Sequence, residues 1–154
     1  MATRRRGREA ALQLLYAIEI THADVDEVLA SSWARALTAA KTREFTRALL
    51  QGVIASRDEI DALIREWSAN WSLERIGLVE RNILRFAIYE LMFMPEIPPN
   101  VTINEAIEVA KRYGADDAPS FVNGILDRIK NQTAPSEDTP DVASSPAPVS
   151  SPPA

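Results

Sequence analysis

Apolar positions recur at helical spacing along most of this chain, and one stretch exceeds ordinary amphipathicity. Residues 78 to 94 read LVERNILRFAIYELMFM. At about 100° per residue, Phe93, Phe86, Val79, Ile83, Met94, Ala87, Leu91, Leu84 and Ile88 fill an arc of about 220°, against the roughly 100° stripe of a surface helix. The pattern predicts a central helix with others packed around it. The narrow remaining side, made of Arg81, Asn82, Arg85 and Tyr89, is expected to form a strip open to water. Glu80 and Glu90 fall inside the apolar arc, where each carboxylate needs a hydrogen-bonded partner in this chain or another.

The other periodic segments are narrower. Ala11, Leu14, Leu15 and Ile18 give a core stripe to a first helix over Arg4 to Ile20. Its other side carries Arg5, Glu9, Leu12, Gln13 and Tyr16, with Arg4 and Arg8 at the border. Asp24 is an N-cap for a second helix with the stripe Val25, Val28, Leu29, Trp33, Ala36 and Leu37. Thr42 caps a third helix, predicted as one long element from about 43 to 68, because Phe45, Leu49, Val53, Ile60, Leu63, Ile64 and Trp67 keep helical spacing without a proline. Gly52 marks a close-packing point on it. Ser72 to Ile76 make a short helical turn before the central helix.

Pro95, Pro98 and Pro99 then enforce a loop. Thr102 and Glu105 have the spacing of a capping box for a sixth helix, which carries Ile103, Ala106, Ile107 and Ala110, places Lys111 and Arg112 in its last turn and stops at Gly114. Pro119 opens the seventh helix, with Asp116 and Asp117 at the positive end of its dipole. Val122, Ile125, Leu126 and Ile129 form its stripe, and Phe121 lies about 100° away from it. With no strand-like alternation, the fold class is all-α with about seven helices.

Composition changes this picture at one end. The 154 residues are 46% hydrophobic and 25% charged, a globular balance. From Thr133 onward the chain holds six of the ten prolines, three acids and two valines as its sizeable apolar groups. Such a segment cannot offset its ordering entropy, so the expected division is a helical domain over 1–132 and a disordered tail over 133–154. Without the tail's three acids, 17 basic face 19 acidic side chains, so net charge says little about partners.

Enzymatic signals are sparse. There is no cysteine, which excludes disulfides and thiol chemistry and suits a cytoplasmic location. The single histidine, His22, falls in a connection between helices, with no cysteine and no second histidine in the chain, so neither a zinc site nor a His-based nucleophile can be assembled. No phosphate-binding glycine loop is present. No cofactor, metal or catalytic residue is therefore expected. The basic start, by contrast, carries a signal: Arg4, Arg5, Arg6 and Arg8 oppose the dipole at their own helix N-terminus. Tyr16 continues that face as an aromatic platform, and arginines beside an exposed aromatic suit single-stranded RNA.

The stretches RRRGREAALQLLYAIE, VERNILRFAIYEL and above all VTINEAIEVAKRYGADDAPSFVNGILDRI resemble the NusB family of bacterial transcription antitermination factors, over about residues 3 to 130. The resemblance implies two small packed helical bundles and no enzymatic activity. It implies binding to boxA-type single-stranded RNA of ribosomal RNA transcripts together with NusE, a small-subunit ribosomal protein, within the RNA polymerase antitermination complex. Carried over by position, the RNA-binding residues are Arg4, Arg5, Arg6, Arg8 and Tyr16, and the partner-binding residues are Glu80, Asp117 and Phe121. The chain departs from the family at Met92, Phe93, Met94 and Pro95, which are more apolar than expected, so that this end is either covered or a homodimer contact. Two alternatives stand beside this reading: a helical protein-interaction module without RNA binding, and a NusB-like domain of the kind found in ribosomal RNA cytosine methyltransferases.

Overall fold

The structure is a computed structural model that describes residues 2–30, 39–68 and 72–133. Within them the chain forms seven α-helices and no strand: α1 (Ala2–Thr21), α2 (Val25–Leu29), α3 (Ala40–Ala55), α4 (Arg57–Trp67), α5 (Leu78–Phe93), α6 (Pro99–Tyr113) and α7 (Ala118–Thr133), with a 3₁₀ turn at Leu73–Arg75 before α5. The predicted positions Trp33, Ala36 and Leu37 of the second helix lie outside the described residues. So does the expected tail after Thr133, a residue that itself ends α7.

Helix α5 is the centre. Ile83, Leu84, Phe86, Ala87 and Ile88 are all fully buried, and α1, α3, α4, α6 and α7 all pack on it. Helices α1 to α3 gather on one side and α4, α6 and α7 on the other, joined in one apolar core through α5. This is the two-bundle arrangement with a shared helix. Gly52 on α3 lets the helices approach, because a Cβ there would overlap the Tyr89 ring of α5.

Four local expectations need correction. The long helix over 43–68 is two helices, α3 and α4, broken at Ser56, whose backbone (φ −110°, ψ 19°) leaves the helical region. The apolar period survives the break, which is why the sequence pattern did not reveal it. Thr42 is not a cap: α3 starts two residues earlier, and Thr42 is buried, its carbonyl accepting from Thr46 Oγ1 at 2.8 Å. Thr102 and Glu105 do not form a capping box either, since α6 starts at Pro99 and both side chains are engaged elsewhere. Leu12, placed on the polar side of α1, is buried.

The largest departure concerns the polar side of α5. Asn82 and Arg85 are buried, covered by carboxylates from two other helices. Arg85 donates to Asp61 of α4 at 2.8 and 3.2 Å and to Glu19 of α1 at 2.8 Å. Arg81 donates to Glu19 at 2.7 and 3.0 Å, and Asn82 donates to it at 3.0 Å. The expected water-exposed strip is thus an ionic seam. Burial pushes the Glu19 carboxyl upward, but hydrogen bonds from Arg81 and Asn82 and the charge of Arg85 outweigh it and hold the group at about 2.

Candidate functional site

Two surfaces collect the singled-out residues. The first is the start of α1. Here the four arginines have four different fates, set by their rotation around the helix. Arg8 turns inward and is 1% exposed; its Nε and Nη2 donate to Glu90 of α5 at 2.6 and 2.8 Å. Thr102 of α6 donates to the same carboxylate at 2.9 Å. Two oddities of the sequence, an arginine at the border of a stripe and an acid in an apolar arc, therefore satisfy each other. Arg8 is accordingly removed from the RNA-facing set, because a guanidinium 1% exposed and paired with Glu90 is out of reach of a phosphate at the surface.

Arg5 is exposed, yet donates through Nε and Nη2 to Glu105 of α6 at 2.7 and 2.9 Å. That hydrogen bond holds the Glu105 carboxyl below its ordinary value. Arg4 is half-buried, its guanidinium carbon 5.8 Å from the centroid of the Phe45 ring on α3. The Arg8 guanidinium lies 5.3 Å from the same ring. Gly7 makes room, since a Cβ there would come within 2.7 Å of Phe45 Cδ2. Arg6 is exposed and has no carboxylate partner among the described residues. Tyr16 is 39% exposed and lies within about 20° of Arg5 around the helix. The surface thus offers Arg4 and Arg6 as cations without a carboxylate partner, Arg5 as a cation in competition with Glu105, and Tyr16 as an open ring. Phe45 and Glu105 joined the site only in three dimensions; the sequence marked one as core and the other as a cap.

The second surface lies at the start of α5. Glu80, Asp117 and Phe121 line one cleft of about 320 Å³ with Arg75, Ile76, Gly77, Ala115 and Ala118. Glu80 is thereby brought together with Asp117 and Phe121, 37 and 41 residues further along the chain. Glu80 Oε2 accepts from the backbone N–H of Ala115 at 3.0 Å, which ties α5 to the connection between α6 and α7. Gly114 is required by this closeness rather than by a left-handed backbone: its φ is −96°, and a Cβ would come within 2.6 Å of Ala118 Cβ and 3.0 Å of Glu80 Oε2. Neither Arg112 nor Arg128 serves Glu80. Arg112 pairs with Glu9 at 3.4 Å, and Arg128 donates to the carbonyl of Trp67 at 3.1 Å. Asp117 is exposed at the start of α7, where its carbonyl accepts from Phe121 N at 3.1 Å.

Nothing in either surface resembles a catalytic constellation. Among the described residues no group of three or more His, Asp or Glu could hold a metal ion, and no helix is long and apolar enough to cross a membrane. His22 is exposed at the end of α1 with φ 61°.

Comparison with known proteins is consistent over most of the chain. The model of the NusB family matches residues 5–131. The chain is 46% identical over 133 residues to the transcription antitermination protein NusB of Myxococcus xanthus, covering 84% of this chain and 95% of that one. It is 49% identical over 137 residues to the NusB of Geotalea uraniireducens, with 84% and 94% covered. Among solved structures, NusB of T. maritima is 42% identical with a TM-score of 0.78 over 86% of this chain and 93% of that chain. A crystal structure of antitermination factors NusB and NusE in complex with double-stranded RNA is 26% identical, with a TM-score of 0.75 over 86% and 98%.

Proposed function

This chain belongs to the NusB family, and from that premise we propose that it is a transcription antitermination factor that binds boxA-type single-stranded RNA of ribosomal RNA transcripts together with NusE, so that RNA polymerase reads through termination signals. It acts in the cytoplasm as a binding protein, with no catalytic step of its own. The observation that carries the reading is the sorting of charge at the start of α1. Arg4 and Arg6 are left without carboxylate partners among the described residues, since the acids of the same helix are taken, Glu9 by Arg112 and Glu19 by the seam, and Tyr16 further along α1 is exposed. Cations left in that state suit phosphates, and the open ring suits a base.

The cleft at Glu80, Asp117 and Phe121 is the partner face. Exposed carboxylate beside an aromatic fits a basic protein, as a ribosomal protein generally is.

The test is RNA binding by the full chain, measured by fluorescence anisotropy against salt, with and without NusE. Replacing Arg4 and Arg6 together by serine is expected to weaken binding and to flatten the salt dependence by about 0.7 per lost contact, with the melting temperature kept. Tyr16→Ala is expected to cost about 1 to 3 kcal/mol of RNA affinity. An unchanged salt slope in the double variant would overturn the assignment of the arginines, and NusE that neither binds nor strengthens RNA binding would overturn the joint complex.

A further inference from the structure

One feature reaches beyond the first surface: a strip of three aromatic rings from Phe45 on α3 to the end of α5. Phe45 lies half-buried beneath Arg4. Tyr89 rests on Gly52, seven residues further along the same face of α3. Phe93 follows one turn later on α5, its ring centroid 5.1 Å from that of Tyr89 with the planes tilted by 30°. The Arg8–Glu90 pair ties the two ends together, because Arg8 lies over Phe45 while Glu90 sits between Tyr89 and Phe93 in sequence. Phe93 is 41% exposed, one of only three large apolar side chains among the described residues so open to water. Core packing does not require it there, and a helix end can satisfy itself with a polar residue.

We propose that this strip is a second stretch of the RNA path, in which a base stacks on Phe93 and the backbone runs on toward Arg4 and Lys41. The proposal rests on the RNA reading above and extends it to Phe93 at the end of α5.

The choice of occupant follows from charge. Lys41, one turn before Phe45 on the same face of α3, is exposed and has no salt bridge among the described residues, while the exposed acids nearest the rings in sequence are Glu44 and Glu96. Together with Arg4, whose guanidinium carbon is 5.8 Å from the Phe45 centroid, it borders the Phe45 end of the strip with cations. Planar apolar faces bordered by cations match a single-stranded nucleic acid, whose bases stack and whose phosphates are anionic. A second copy of the chain meeting this face about a two-fold axis would set the same cations against each other, which disfavours it.

The experiment uses the full chain and a labelled boxA-type single-stranded RNA, with Phe93→Ala and Phe93→Trp compared alongside the Arg4 and Arg6 serine double variant. Phe93→Ala is expected to weaken binding by about 5- to 100-fold without changing the salt slope, since no phosphate contact is removed. Phe93→Trp, which keeps a stacking face, is expected to bind at least as well as the wild type. Wild-type affinity in Phe93→Ala, with affinity lost in the arginine double variant, would overturn the strip and leave the RNA reading standing. Sedimentation gives the remaining outcome: a concentration-dependent dimer that Phe93→Ala dissolves while RNA binding is untouched would assign the strip to self-association and overturn the proposal. Wild-type chain that fails to bind the RNA at all would overturn both readings together.

Discussion

Arg8 and Arg6 are two residues apart and chemically identical, yet they have different work. Arg8 is in the core with one guanidinium edge bonded to Glu90 and its carbon 5.3 Å from the centroid of the Phe45 ring, whereas Arg6 stands in water. Removing one member of a buried ion pair leaves the other uncompensated, at a cost of about 3 to 5 kcal/mol. Arg8→Ser is therefore expected to lower the melting temperature severely, while Arg6→Ser should stay within about 0.5 kcal/mol of the wild type. Chemical denaturation of both variants checks this, and equal stabilities would refute the burial argument. Glu105 supplies the complementary prediction. It holds Arg5 in a two-point ion pair at the surface, so it competes with any phosphate for that guanidinium. Glu105→Gln should release Arg5, tighten RNA binding and steepen its salt dependence by about 0.7. If affinity and slope do not move, Arg5 has only a structural role.

At the scale of elements, α5 shows how much a hydrophobic pattern carries and where it stops. Its apolar arc identified the central helix and the wide burial of Ile83, Leu84 and Phe86, because those positions need only an apolar neighbour, whichever helix provides it. The polar side could not be resolved in the same way. Whether Asn82 and Arg85 meet water or a carboxylate depends on Glu19 and Asp61, which are 66 and 24 residues from Arg85 and look like ordinary surface acids on their own helices. The same holds at the start of α1, where the arginine run was legible but the removal of Arg8 by Glu90 was not. Of the cleft residues, Glu80 and Phe121 were legible because each broke its own helix's pattern, whereas Asp117, an ordinary acid at a helix start, was marked only by the family resemblance.

The seam has a pH signature. Glu19 is held at about 2, below its ordinary 4.5, so its contribution is fully present above about pH 4.5 and is lost as pH falls toward 2. Glu19→Gln removes that contribution at every pH. The gap in melting temperature between wild type and variant should therefore be widest near neutrality and close progressively below pH 4.5. A gap that stays constant down to about pH 3 would mean that Glu19 does not hold its charge through this seam.

Across the whole molecule, α5 carries Glu90 and Phe93 at one end and Glu80 near the other, with Glu80 and Glu90 about 15 Å apart along the axis. Changes at sites so separated and without shared partners act almost independently, so the arginine face and the acidic cleft should be separable by mutation. Asp117 is the cleaner probe of the cleft, since its side chain is exposed and its structural duty at α7 falls to its carbonyl. Asp117→Asn is expected to keep the melting temperature and the RNA affinity of the free chain while weakening NusE binding, by up to about 2 to 5 kcal/mol if the charge is desolvated in the complex. Glu80→Lys should behave differently, because Glu80 also accepts the Ala115 N–H. It is expected to lose NusE binding and also about 1 to 3 kcal/mol of stability through the unsatisfied donor. Calorimetric titration with NusE, paired with thermal melts of both variants, separates these effects. Intact NusE binding in Asp117→Asn together with a lowered melting temperature would make the cleft a structural junction between α5, α6 and α7 and would remove it as the partner face.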